Sequence, residues 1–100
     1  MRTIRAVPDL EALRATDFAR LLHERFRVVP DTPAPFDVEL IEVAELGGGA
    51  AAGRPFSLVF RGGPSPPLPQ RIYRVQHEAL GALDIFLVPI ATDRYEAVFT

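Results

Sequence analysis

The sequence GALDIFLVPIATDRYEAVFT, residues 81 to 100, decides the fold class. Its second part, RYEAVFT at 94 to 100, alternates apolar and polar side chains, which is typical of a strand with one buried face. The first part is apolar on both sides from Ile85 to Val88, a pattern that predicts a central strand. The link ATD between the two parts is typical of the tight connections that join neighbouring antiparallel strands. We therefore expect two paired strands here.

Four further segments before residue 81 have strand-like patterns and are separated by residues that form turns. These segments are HERFRVVP at 23 to 30, FDVELIEVAEL at 36 to 46, RPFSLVFRG at 54 to 62 and RIYRVQHE at 71 to 78. In the second of them the apolar phase shifts between Leu40 and Ile41, which predicts a β-bulge or a bend. The proline- or glycine-rich connections, which are typical of loops, are PDTPAP at 30 to 35, GGGAAAG at 47 to 53 and GGPSPPLPQ at 62 to 70.

One segment has helical character, DLEALRATDFARLLHERF at 9 to 26. Its apolar residues would spread over more than half of a single helix, so two short helical pieces, capped by Asp9 and Thr16, are expected instead. Taken with the strands, the sequence predicts a mainly β fold of about six antiparallel strands that form a small barrel or a two-layer sandwich, with a short N-terminal helical cap. Residues 1 to 8 are expected to be a flexible arm and residues 9 to 100 a single β-rich domain.

Composition restricts the possible functions. The 100 residues include no cysteine, so disulfides, thiolate catalysis and cysteine metal sites are excluded. The formal net charge is −2 and no stretch concentrates arginine, so a nucleic-acid partner is not expected. No apolar run approaches the roughly 20 residues that span a bilayer, which favours a soluble, cytoplasmic protein without a membrane partner. All 11 strongly basic residues are arginine, a bias typical of a GC-rich bacterial genome.

Most of the chain shares its motifs with a known group of proteins. The motifs are LEALRATDF at 10 to 18, PFSLVFRG at 55 to 62, LPQRIYRVQHEALGALDIFLVPI at 68 to 90 and RYEAVFT at 94 to 100. Through them the chain resembles an uncharacterised family of small bacterial proteins, a domain of unknown function. The resemblance implies no catalytic or ligand-binding residues, because none is established for that family. It implies a gene neighbourhood rich in phage-tail-collar-like proteins, and hence an accessory role in a tail-like or surface assembly.

Two histidines stand directly before glutamates, His23 before Glu24 and His77 before Glu78. An imidazole with a carboxylate suits metal binding or acid-base chemistry, although neither pair begins an HExxH motif. His77, together with Glu78 or Asp84, is the candidate centre of a small hydrolase or metal enzyme. The alternative, which we favour, is a histidine at the end of a strand that is hydrogen-bonded within the turn.

The stretch PPLPQR at 66 to 71 matches PxxPxR, a pattern found in proline-rich ligands. In such a ligand Pro66 and Pro69 would fill aromatic grooves and Arg71 would meet an acidic rim. The stretch connects two predicted strands, whereas these ligands usually lie in disordered tails. A structural loop is therefore the favoured interpretation.

The favoured function is a non-enzymatic protein-interaction or assembly module, since no catalytic, cofactor-binding or metal-binding residues are assigned. Its partner is expected to be another protein or a second copy in a homo-oligomer, bound through an exposed strand edge or through the Pro/Gly loops. One alternative is a small-molecule carrier whose β-barrel encloses an apolar cavity of at least about 300 Å³. The other is the hydrolase or metal enzyme around His77.

Overall fold

The computed structural model describes residues 13 to 47 and 55 to 99, and in these ranges it has one short helix and six strands. The elements are α1 (Ala15–Ala19), β1 (Arg25–Val29), β2 (Phe36–Glu45), β3 (Phe56–Gly62), β4 (Arg71–His77), β5 (Gly81–Ala91) and β6 (Arg94–Phe99). Each strand matches one of the six predicted segments, and β5 extends one residue further, to Ala91 of the predicted link. The predicted arm at 1 to 8, the expected cap Asp9 and most of the predicted loop at 47 to 53 lie outside the described residues.

The six strands form a closed antiparallel barrel in the order β1-β2-β3-β6-β5-β4. β1 to β3 form one meander and β4 to β6 a second, and the barrel closes where β3 pairs with β6 and β1 pairs with β4. The mainly β prediction is confirmed, and of its two architectures the barrel is the one formed. Closure gives each described strand a neighbour on both sides, so the exposed strand edge that we expected as a binding surface is not formed.

Alternate residues of the strands point into the barrel and fill it. Phe26 and Val28 of β1 are each 1% exposed, and the ring of Phe26 meets that of Phe60 edge to face, with centroids 5.2 Å apart. Further members of this core are Val38, Leu40, Phe56, Leu58, Tyr73, Val75, Leu83, Ile85, Leu87, Tyr95 and Ala97. The barrel axis is therefore occupied by the protein's own side chains.

Helix α1 closes the end of the barrel where β3 begins and β6 ends. Phe18 of this helix is completely buried, and its ring centroid lies 5.8 Å from that of Phe56 and 5.6 Å from that of Phe99. Phe56 and Phe99 are in turn stacked on each other at 4.6 Å. The three rings form a plug at this end. With five residues, the described helix is far too short to cross a membrane.

Two sequence predictions about single residues have different outcomes. The register between β2 and β3 shifts immediately after Leu40, which confirms the predicted bulge. The prediction that Thr16 caps the helix is wrong, because α1 begins at Ala15. Arg14 is the N-cap, and its backbone N–H donates to the carboxylate of Asp17 at 2.8 Å. The acidic side chain of the first turn thus satisfies a backbone donor next to the helix.

β5 is a central strand as predicted, because it lies between β4 and β6, but only one of its two apolar faces is covered. Its inward side chains are buried, but Phe86 and Ile90 on the outward side are 49% and 50% exposed. A barrel has only one inner face, so a strand that is apolar on both sides leaves half of its apolar residues outside. In this fold the two-sided pattern describes an uncovered surface rather than a buried strand.

Candidate functional site

His77 lies at the end of β4, beside the beginning of β1. Its imidazole is 8% exposed and packs on the ring of Phe26, with ring centroids 4.6 Å apart. Nε2 lies 2.8 Å from Oε1 of Glu24, and Nδ1 lies 2.9 Å from the backbone nitrogen of Ala79. Both ring nitrogens are therefore hydrogen-bonded within the protein.

These contacts determine where the imidazole carries its proton. The backbone N–H of Ala79 can only donate, so Nδ1 of His77 accepts and has no proton. The proton lies on Nε2, which donates to the carboxylate of Glu24. His77 thus ties the β4–β5 turn to the residue that precedes β1. Since neither nitrogen is left to take a proton from a bound molecule, the arrangement does not favour a general base.

The carboxylate bonded to His77 differs from those suggested by the sequence. Glu78 is an exposed residue of the turn, and Asp84 is bonded to Arg74 on the outer face of the barrel. Nε of Arg74 donates to Asp84 at 2.8 Å, which lowers the pKa of the Asp84 carboxyl. Glu24 stands 53 residues from His77 in the chain, so adjacency in sequence gave no sign of this pair.

His23 belongs to a second cluster. Its Nδ1 lies 3.2 Å from Oε2 of Glu39, and Arg61 donates to Oε1 of the same carboxylate at 2.9 Å. The bonds from Arg61 and then His23 hold the pKa of the Glu39 carboxyl below its usual value. The cluster is exposed, as a surface ion-pair network is. In the ranges 13 to 47 and 55 to 99, no three His, Asp or Glu side chains are grouped to hold a metal ion.

We expect His77→Ala to lower the free energy of unfolding by about 1–3 kcal/mol, because it removes a packed ring and two hydrogen bonds. Urea unfolding measures this change. Glu78→Ala is the matched control, since Glu78 is the exposed neighbour in the same turn, and its effect should stay within about 0.5 kcal/mol. Equal effects of the two substitutions would contradict the structural role of His77.

The proline-rich stretch is held against the barrel by two tyrosine hydroxyls. Leu68 at its centre is buried, and its backbone N–H donates to the hydroxyl of Tyr95 at 2.8 Å. The hydroxyl of Tyr73, whose pKa is raised by burial, donates to the carbonyl of Pro69 at 2.5 Å. The exposed members of the predicted ligand motif are Pro66, Pro69 and Arg71. The motif is thus part of an anchored loop with its central side chain in the core.

Two depressions lie on the outer surface and rim of the barrel. One, of about 510 Å³, is lined by Arg25 and Arg27 together with Asp37 and Glu78, so its charges are mixed. The other, of about 340 Å³, lies between the β1–β2 and β3–β4 connections and reaches Ile72. Neither is an enclosed space along the barrel axis, where the core side chains lie. Neither depression is therefore the internal cavity that a carrier requires.

A group of outward-facing apolar residues crosses β4, β5 and β6, and we call it the apolar strip. Its members are Ile72, Phe86, Val88, Ile90 and Val98. Ile72 and Phe86 are directly opposite each other on β4 and β5, and they are 65% and 49% exposed. Val88 pairs with Glu96 of β6, so the antiparallel register places Val98, 52% exposed, level with Phe86. The strip is thus a continuous row rather than a set of scattered residues.

The opposite side of the barrel is different in character. The outer faces of β1, β2 and β3 carry ion pairs: Arg27 lies 3.4 Å from Asp37, and Arg61 lies 2.9 Å from Glu39. A solvated barrel face is expected to look like this. The sequence signal for the strip is the two-sided apolar pattern of β5, which strands buried on both faces share.

Comparison with known proteins gives a family but no function. Comparison with the curated proteins and with the solved structures yields no match. A family model described as a domain of unknown function, DUF6916, matches residues 13–99, which include α1 and all six strands. The chain therefore belongs to the DUF6916 family.

Proposed function

We propose that the protein is a non-enzymatic interaction module that binds another protein surface through the apolar strip. The observation that carries the proposal is the row of Ile72, Phe86 and Val98, each about half exposed or more, on the outside of a closed barrel. Contiguous apolar patches on small proteins mark interaction sites, whereas isolated apolar residues need no explanation. Such a module suits the bacterial cytoplasm, where it would serve as an accessory component of a tail-like or surface assembly.

The strip is not required by the core of the barrel. Inward residues of the same strands, such as Ile85 and Leu87, already fill the interior and are at most 3% exposed. The exposed half of a Phe side chain amounts to roughly 100 Å², so covering it is worth about 2.5 kcal/mol at about 25 cal/mol per Å². Several such residues in one row provide the apolar centre of an interface, which charged residues at its margin would complete.

The alternatives have less support from the geometry. A carrier would need an apolar space inside the barrel, and the axis is occupied by side chains such as Phe26, Phe60 and Tyr95. A hydrolase or metal enzyme would need an available imidazole, and both nitrogens of His77 are bonded to the protein. An interaction module needs only an exposed apolar surface, such as the apolar strip.

A photo-crosslinking residue, p-benzoylphenylalanine, placed at position 86 tests the proposal in living cells. We expect irradiation to give a discrete covalent adduct with a protein. The matched control carries the same residue at position 37, where Asp37 is exposed on the charged face of β2, and should give none. No adduct from position 86, or the same adducts from both positions, would contradict the proposal. The mass of the adduct separates a second copy from a different protein.

A further inference from the structure

We infer that the surface covering Ile72 and Phe86 of the apolar strip is a second copy of this chain, related to the first by a two-fold axis that runs between β4 and β5. The inference rests on the proposed function and identifies its partner. It is carried by the outward residues of two neighbouring rows on the β4–β5 pair. The first row is Ile72 opposite Phe86, and the second row is Arg74 opposite Asp84.

The two rows are complementary to themselves under such an axis. The axis lies in the plane of the interface, parallel to the strands and above the line midway between β4 and β5. Rotation about this axis places β4 of the second copy over β5 of the first copy, and β5 of the second copy over β4 of the first. Ile72 then lies over Phe86 of the second copy, and Arg74 lies over Asp84 of the second copy. Both relations occur twice, because a two-fold interface uses the same patch on each side. Apolar side chains meet apolar side chains, and opposite charges meet.

The charged row gives the orientation. Within one chain, Nε of Arg74 donates to Oδ1 of Asp84 at 2.8 Å, and both side chains remain about half exposed, at 50% and 57%. Their outer sides are therefore available to a facing pair of the same kind. When the second copy places its Arg74 over Asp84 and its Asp84 over Arg74, the four side chains form a square of alternating charges. If the second copy were placed without this reversal, Arg74 would face Arg74 and Asp84 would face Asp84. Repulsion between like charges therefore favours the orientation in which β4 faces β5.

The β1–β2 pair has an ion pair of the same kind, but the row beside it is charged rather than apolar. Arg27 opposite Asp37 on β1 and β2 is followed by Arg25 opposite Glu39, so a second charged row stands where the β4–β5 pair has Ile72 and Phe86. Standard interfaces bury about 800 Å² on each partner around an apolar centre. Ile72 and Phe86 supply apolar residues for such a centre, and closure of the described strands into a barrel removes strand addition as another route to association.

Charge exchange between two variants tests the arrangement. In Arg74→Glu both facing charges become negative, and in Asp84→Arg both become positive, so each variant alone should dimerise at least about tenfold more weakly than the natural protein. When the two are mixed, acidic residues face basic ones at both contacts. We expect sedimentation velocity to show dimers with one chain of each variant. Circular dichroism checks that each variant is folded, as expected for a pair this exposed.

The matched control is the mixture of Arg61→Glu with Glu39→Arg, which carries the same changes of net charge on the β2–β3 pair, across the barrel from β4 and β5. These variants should each dimerise like the natural protein, and mixing should change nothing. Failure of the Arg74→Glu and Asp84→Arg mixture to form dimers would overturn the two-fold arrangement, as would equal behaviour of the control mixture. A monomeric natural protein with an adduct from position 86 to a different protein would overturn this inference and leave the proposed function standing.

Discussion

Replacing Phe18 by alanine is expected to lower the free energy of unfolding by about 3–5 kcal/mol, the range found for large aromatic residues removed from protein cores. Phe18 is completely buried and contacts the rings of both Phe56 and Phe99. The cavity left by the substitution would lie at the end of the barrel that α1 closes. Small domains have only about 5–15 kcal/mol of net stability, so this loss is a large share of the total.

Urea unfolding followed by circular dichroism measures this effect, with Phe86→Ala as the matched control. Both substitutions remove the same benzyl group, but Phe86 is half exposed on the apolar strip. The control should cost less than about 1 kcal/mol at a concentration where the protein is monomeric. A loss of under about 1 kcal/mol for Phe18→Ala would show that the end of the barrel does not depend on the plug of three rings.

The strands could be predicted from sequence because their signals are local. Alternation placed Phe26 and Val28 on one face, and both are buried in β1. The change of phase after Leu40 revealed the bulge, because an extra residue in a strand must reverse which side chains point inward. Local patterns in the sequence do not show whether the strands close into a barrel. The pairings of β1 with β4 and of β3 with β6 join segments that are distant in sequence, and alternation is the same in a sandwich.

The candidate site was less predictable, for a related reason. The sequence singles out His77, but the bond of His77 to Glu24 depends on the closure of β1 against β4. The apolar strip was visible in the residues around Phe86, yet the same pattern describes a strand between two layers and a strand with a surface left uncovered. These two kinds of strand differ only in whether the fold covers one face of the strand or both. A binding surface of this kind is therefore recognised only when the apolar pattern of the sequence is compared with the faces that the folded protein leaves exposed.

The second large effect is expected from Gly63→Ala, at about 2–4 kcal/mol of lost stability. Gly63 follows β3 with φ +98, a conformation that residues with a Cβ rarely adopt. A Cβ there would stand 3.0 Å from Cε2 of Phe36 and 3.3 Å from Cε1 of Tyr95. The Tyr95 ring has little freedom to give way, because it is 1% exposed and its hydroxyl accepts the backbone N–H of Leu68. Backbone strain and overpacking therefore act together.

Gly47→Ala separates these two causes. Gly47 has φ +75, but a Cβ at that position meets nothing within 4 Å, so only the backbone term remains and the expected loss is about 1–2 kcal/mol. Thermal or urea unfolding of both variants gives the difference. If Gly63→Ala is no more destabilising than Gly47→Ala, the rings of both Phe36 and Tyr95 must be able to move. In that case the loop at 63 to 70 would not be fixed by its bond to Tyr95, and the surface beside Ile72 would be adjustable rather than rigid. If the difference is as large as expected, the loop holds one shape at the edge of the apolar strip, which limits the partners that can fit there.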